Sequence, residues 1–306
     1  MTTHEVYSYG VVSHSTLYGI QGTFPAPEGY AEIDDVRRMT GGEATNSSIV
    51  LSRLGAKVKL DGNWLGDDDN GKCTKALLTD FGIDTDRLPL KNGIKTVREV
   101  VFAAEDTRTI FGTYVHLLED RAWNMPNEDD IHQASVVCLD PFFAEPALQV
   151  ARIAFEADVP IITVDCAYDD PLLQHVSAIV VAESFLHERY GGEDLRAVFE
   201  KYLAATSGLV IFSFGDKPVW YARSGEAVKE SQPFRIEAVD TTGGGDSFRA
   251  GIAYGFLKGW DDDEMVQFAA AVAAINCTRF PGVTESPGYD EVRDFMSTAA
   301  KAPCDD

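Results

Sequence analysis

Asp240-Thr241-Thr242-Gly243-Gly244-Gly245-Asp246-Ser247-Phe248-Arg249-Ala250-Gly251 joins two different hydrophobic periods. Upstream of it, Phe234, Ile236 and Ala238 alternate with polar neighbours, the period of a half-buried strand. Downstream, Phe248, Ile252 and Phe256 recur every four residues, the apolar stripe of a helix, and Gly259 is its C-terminal stop. Gly251 and Gly255 add a small-residue stripe where another element can approach closely. The three consecutive glycines therefore fall between a strand and the first turn of a helix. Unpaired N–H groups and the positive end of the helix dipole point outward there, which suits an anion. The absence of Cβ atoms lets a ligand come close to the backbone. Asp246 follows on the first turn, where a carboxylate can take a proton from a hydroxyl while negative charge moves into the hole. That is the layout of phosphoryl transfer. A glycine-rich connection with Asp246 as a helix cap is the plainer alternative.

The same stretch, Asp240 to Asp246, resembles the C-terminal signature of the ribokinase-like (PfkB) carbohydrate kinases, Asp-Thr-x-Gly-Ala-Gly-Asp, with Gly244 in place of Ala. The N-terminal signature of that family has a counterpart in Gly41-Gly42-Glu43-Ala44-Thr45-Asn46, followed by a helix pattern and Leu54-Gly55-Ala56. The resemblance runs in the family's order over nearly all of residues 1–306. It implies an α/β, ribokinase-like fold: a mostly parallel central sheet with helices on both faces, plus a small β lid built from inserted segments 17–40 and 86–118. It also implies ATP-dependent phosphorylation of a hydroxymethyl group on a small sugar or sugar-like substrate, with Mg²⁺ on the nucleotide. K⁺ serves some members, and a homodimer through the lid sheets is expected by resemblance.

Residue by residue, the resemblance puts Asp246 on the catalytic base and Gly243, Gly244, Gly245 and Asp246 on the anion hole. Gly42 and Asn46 fall on sugar-contacting positions, a glycine edge for close approach and an amide that donates and accepts. Ser213 and Gly215 fall near the nucleotide, and Asp240 and Thr242 on the position tied to a monovalent cation. The departures lie on the substrate side. Ser15 stands where relatives often carry Asp, and Glu43 where ribokinases have Lys. Ala182-Glu183-Ser184-Phe185 replaces the family's Asn-x-x-Glu. An unusual substrate accounts for these changes. If Ser15 and Glu43 reach one pocket, Glu43 supplies the hydroxyl-gripping carboxylate that Ser15 cannot. The plainer alternative is Glu43 facing solvent as a first-turn helix acid. A nucleoside kinase is the rival within the family, with Phe102, Phe111 and Tyr114 as aromatic candidates. A catalytically weak ligand-binding relative is the rival from another class.

Composition agrees with this class. The chain is 45% hydrophobic and 25% charged, the balance of a globular protein. Its formal net charge of −23 argues against nucleic acid or an anionic membrane as partner. The five cysteines, Cys73, Cys138, Cys166, Cys277 and Cys304, lack C-x-x-C spacing and suit reduced thiols in a cytoplasmic protein. No apolar run reaches eighteen residues, and no signal peptide opens the chain. A calcium loop at Gly66–Gly71 is excluded, because placing Gly71 sixth puts Gly66 and Leu77 at the first and twelfth ligand positions.

Along the chain, Val6–Val12 reads as a first strand, Leu17–Thr40 as loops and short strands, and Ala44–Leu54 as a helix stopped by Gly55. Thr96–Phe102 and Arg108–Val115 form a hairpin pattern about Glu105-Asp106-Thr107. Val136–Asp140, Ile161–Asp165, Ala178–Ala182 and Leu209–Phe214 are near-continuous apolar runs, as strands covered on both faces require. Helices fit at Pro146–Ala157, Asp194–Ala205 and Glu264–Thr278. That alternation predicts a parallel sheet with ligands at the C-terminal ends of its strands.

Overall fold

The structure, a computed structural model, describes residues 4–105 and 107–299. Asp106 of the hairpin turn and Cys304 lie outside the described residues. The chain opens with β1 (Val6–Gly10), β2 (Ser13–Ile20), β3 (Ile33–Gly41), α1 (Glu43–Arg53) and β4 (Val58–Gly62). Next come β5 (Leu65–Gly66), α2 (Asp69–Asp80), β6 (Leu90–Lys91), β7 (Arg98–Ala103), β8 (Arg108–Gly112), α3 (Val115–Asp120) and α4 (Glu128–Gln133). The middle holds β9 (Val136–Leu139), α5 (Glu145–Glu156), β10 (Ile161–Val164), β11 (Ala178–Ala182), α6 (Glu183–Tyr190) and α7 (Leu195–Ala205). It ends with β12 (Leu209–Ser213), β13 (Val219–Ala222), β14 (Lys229–Ser231), α8 (Gly244–Lys258), α9 (Asp262–Cys277) and α10 (Tyr289–Thr298).

The central sheet runs β14-β13-β12-β11-β10-β9-β1-β4, parallel throughout except where β13 joins β12 and β14. β1, β9 and β10 are buried at every position, because helices cover both faces. Alternate residues of one strand serve different cores. Val136, Cys138, Ile162 and Ile211 pack with α1, α8 and α9, whereas Val137, Leu139, Ile161 and Phe212 pack with α5 and α7. The chain leaves β1 toward β4 on one side and β9 on the other, so the C-terminal ends of β1 and β9 bound a crevice where ligands bind in such sheets.

Helix α8 crosses α9 closely through the glycine stripe. A Cβ on Gly251 would stand 2.5 Å from Ala269 Cα, so only glycine permits this approach. Gly259 ends α8 in the left-handed region, φ 68°.

Three expectations are corrected. No strand forms over Phe234, Ile236 and Ala238. The last strand is Lys229–Ser231; Pro233 has no N–H to give a ladder, and the N–H groups of Val239 and Asp240 instead bond the Cys277 carbonyl at 2.7 and 3.1 Å. Half of segment 17–40 lies in two long strands, which begin and end outside it at Ser13 and Gly41 and enclose a loop over 21–32. In segment 86–118 only β7 and β8 join the four-stranded lid, ordered β3-β2-β7-β8, while β6 pairs with β5.

Candidate active site

The N-terminal turns of α1 and α8, the ends of β9 and β10, and the inner face of the lid enclose a cavity of about 850 Å³. Gly243 caps α8 in the left-handed region, φ 70° and ψ 13°. A side chain there would overlap Val283. The Gly244 N–H is used within the turn, donating to the Thr241 carbonyl at 3.2 Å. The N–H groups of Gly243, Gly245 and Asp246 make no hydrogen bond to another described residue. The open set is therefore three amides, and the sequence-based hole of four loses Gly244 as a donor.

Asp240 does not line the cavity. Its carboxylate accepts the N–H of Thr242 at 2.9 Å and of Gly282 at 3.3 Å, tying the glycine turn to the loop after α9. The Thr242 hydroxyl is buried with no hydrogen-bond partner among the described residues. Ser213 lines the cavity at the end of β12, whereas Gly215 turns away from it at φ 65° in an exposed bend. Gly215 is thus not among the lining residues.

Asp246 is held from three sides. Its Oδ2 accepts the Asn46 amide at 2.7 Å, its main-chain carbonyl accepts the Ser47 hydroxyl at 3.1 Å, and Arg249 Nη2 stands 4.0 Å from Oδ1. Burial pushes its carboxyl up to about 6, against the pull of Arg249 and Asn46. Its charged form is still available at neutral pH, with a proton affinity high enough for a useful base.

Two residues of this network went unread in the sequence. Arg249 is fully buried; its Nε donates to Ser47 at 2.9 Å and Nη1 to Asp140 at 2.8 Å. The other oxygen of Asp140 accepts the N–H groups of Val11 (2.9 Å) and Ala44 (3.0 Å). Asp140 so pins the end of β1, the start of α1 and the first turns of α8 together. Gly10 is obligatory beside it, since a Cβ would overlap its carboxylate. An Asp at the end of an all-buried parallel strand and an Arg inside an apolar helix were the available signals.

The substrate candidates are brought together. Gly42, φ 97°, lies where a Cβ would strike the Val11 carbonyl. Asn46 keeps a buried Oδ1 with no partner among the described residues. Ser15 is buried on β2 and lines the cavity. Glu43 lines the cavity among carboxylates while its side chain stays exposed to solvent. Desolvation by the cavity walls first, then Asp140 and Asp246, push its carboxyl well above the usual range, against Arg249. Glu99 on β7, unflagged by the sequence, and Tyr114 join them. Of the three aromatic candidates, Phe102 and Phe111 pack on each other outside the lining, and only Tyr114 lines the cavity.

Comparison with known proteins gives a match to the pfkB family of carbohydrate kinases over residues 4–287. A ribokinase of Haemophilus influenzae is 26% identical over 274 residues, covering 85% of this chain and 88% of its own. A nucleoside kinase of Methanothermobacter thermautotrophicus is 28% identical over 262 residues, 82% of each chain. Among solved structures, ribokinase of Arabidopsis thaliana, complexed with ribose and ATP, superposes with a TM-score of 0.80 at 21% identity, over 96% of this chain and 99% of that one.

Proposed function

Because the chain belongs to the pfkB family of carbohydrate kinases, we propose that it transfers the γ-phosphoryl group of ATP to a hydroxymethyl group of a small sugar or sugar-like alcohol. The observation that carries this is the first turn of α8. It offers a carboxylate, Asp246, and three free amides, of Gly243, Gly245 and Asp246, to one cavity. Asp246 takes the hydroxyl proton as the oxygen attacks. The amides hold the charge that gathers on the transferred group, fixed beforehand by the helix and by the Asp240 strut. Asn46 orients the Asp246 carboxylate and presents its unpartnered oxygen to a donor. Ser213 and Thr242 lie on the same wall and take the nucleotide side. Ser15, Gly42 and Glu43 take the substrate side.

Among the described residues, no group of three His, Cys, Asp or Glu forms a metal cage. Mg²⁺ would therefore come on the nucleotide, with Asp165 and Asp246 as the oxygen donors available, and would neutralise phosphate charge. The buried Thr242 hydroxyl is the donor left for K⁺, since both oxygens of Asp240 are occupied by backbone N–H groups. Phe102 and Phe111 are outside the cavity lining, but Tyr114, Phe142 and Phe185 line it, so a nucleoside is the rival that the substrate panel must separate. A homodimer through the lids and a cytoplasmic location, with no nucleic-acid partner, belong to the same reading. No helix among the described residues is long and apolar enough to cross a membrane.

The test is ATP consumption against a panel of sugars and nucleosides, with Mg²⁺ present or chelated and with K⁺ or Na⁺. Asp246→Asn should lower kcat by roughly a hundredfold or more while nucleotide binding persists. Near-normal turnover in that variant would remove Asp246 from the reaction. A protein that binds ligands yet transfers no phosphoryl group would be the weak relative instead.

A further inference from the structure

On the premise of that kinase reading, we propose that Glu99 selects the substrate by accepting hydrogen bonds from neighbouring hydroxyl groups of a polyol. Glu99 lies in register with Ser15 across the parallel pair β2–β7. The carboxylate missing at position 15 is thus supplied from the adjacent strand. The lid presents every second residue to the cavity: Ser15 and Leu17, Met39 and Gly41, Glu99 and Val101. Leu17, Met39 and Val101 form a buried apolar cluster on that face, where a carboxylate without a use is costly.

The wall is shaped around this side chain. Glu99 Oε2 occupies the space that a Cβ on Gly41 would fill, and Ser15, its partner in register, lines the same cavity. Oε1 accepts the Tyr114 hydroxyl, which fixes the carboxylate plane. Burial raises the affinity of the carboxyl for a proton, opposed first by Tyr114. A substrate hydroxyl pair restores what burial removes. A deoxy sugar does not, and leaves the carboxylate underbonded. Sites built to bond a hydroxyl reject the analogue lacking it far more strongly than apolar pockets reject a missing methylene. Glu99 stands on the lid, across the cavity from the first turn of α8. Its grip therefore holds a sugar between the lid and Asp246.

Calorimetric binding of pentoses, hexoses and their singly deoxygenated forms to wild type, Glu99→Gln and Tyr114→Phe tests this, with phosphorylation by ATP measured in parallel. The best-bound sugar should lose at least tenfold in affinity in Glu99→Gln, about 1.4 kcal/mol. Its preference over one deoxy form should shrink by a similar factor. Tyr114→Phe should lose less, in the same direction. Discrimination is a ratio within one variant, so a partly misfolded preparation does not imitate its loss. Unchanged affinity and discrimination in Glu99→Gln overturn the proposal. A sugar held through Glu99 but never phosphorylated removes the kinase reading and leaves this role standing. If no sugar binds the wild type, both fall.

Discussion

Arg249 is the residue that sets the charge state of Asp246. Burial alone would drive the Asp246 carboxyl far up, and Glu99 and Asp140 push the same way. The opposing guanidinium, at 4.0 Å, keeps it near 6 with help from Asn46. The charged groups around Asp246 are therefore Arg249 on its own helix, Glu43 on α1, Asp140 after β9 and Glu99 on β7. Removing the positive charge stabilises the protonated acid, so the pKa must rise. Arg249→Met should shift the acidic limb of the kcat profile upward by about one unit or more, losing rate near pH 6.5 and regaining it near pH 8.5. Arg249→Lys retains a charge and should hold the limb closer to 6. The Met variant also strands Asp140 as a buried unpaired carboxylate, a loss on the order of 3–5 kcal/mol, so its fold must be checked by circular dichroism. A correctly folded Arg249→Met with an unmoved limb would show that the guanidinium is only a strut.

The elements were legible in the sequence wherever one period governed them. The all-apolar runs of β9 to β12, the glycine turn before α8 and the helix of Gly42–Asn46 are local patterns, and local patterns survive without tertiary knowledge. The segment at Phe234 imitates a strand by alternation, but the chain that follows it, at Val239 and Asp240, is tied to the end of α9, which no window of sequence contains. The site was half legible for the same reason. Asp246 and Gly243 lie in one motif, whereas the Arg249–Asp140 pair spans 109 residues and Asn46–Asp246 spans 200. Glu99 depends on a strand register that only the assembled lid defines. That lid also argues for a partner. Its edge strands β3 and β8 have no neighbour on their outer side among the described residues, and Val36 and Phe111 on them are 53% and 58% exposed. Open strand edges with apolar side chains invite pairing. Light scattering should give twice the 33.4 kDa of one chain, and the double variant Val36→Glu, Phe111→Glu should give one. A wild-type mass of a single chain ends the dimer reading.

At the scale of the molecule, the active site and the surface pull stability in the same direction with pH. The formal charge of −23 repels itself in the compact state and grows less negative as pH falls. Inside, Glu43, Asp61, Glu99, Asp165 and Asp246 all have carboxyls raised by burial, Asp246 to about 6. A carboxyl whose folded pKa lies above its unfolded value binds more protons when folded. Its contribution is therefore greatest below about 4 and is lost as pH rises through the folded pKa, about 6 for Asp246. His14 and His175, lowered by burial, oppose this below about 6.5, but they are two against five. Asp68 and Asp130, held below the usual range by their hydrogen bonds and, for Asp130, by Lys59 and Arg87, set the lower limit, because protonating them breaks a helix cap and a buried ion pair. The melting temperature should thus be highest near pH 4–5, fall by several degrees as pH rises through about 6 to 7, decline further toward pH 8 only through surface charge, and fall again below pH 4. At about 2–4 °C per kcal/mol for a chain of 150–250 residues, and less for a longer one, such a slope reports a few kcal/mol. Salt at pH 8 should recover part of the loss by screening the surface, and not the part that arises in the cavity. Asp246→Asn separates the two. The amide cannot titrate, so the variant should be more stable than wild type at pH 8, with the difference closing toward pH 4. That is the sign expected when a buried carboxylate is kept ionised at the expense of the fold. A variant less stable than wild type at pH 8 would mean that Asn46 and Arg249 repay the burial of Asp246 in full.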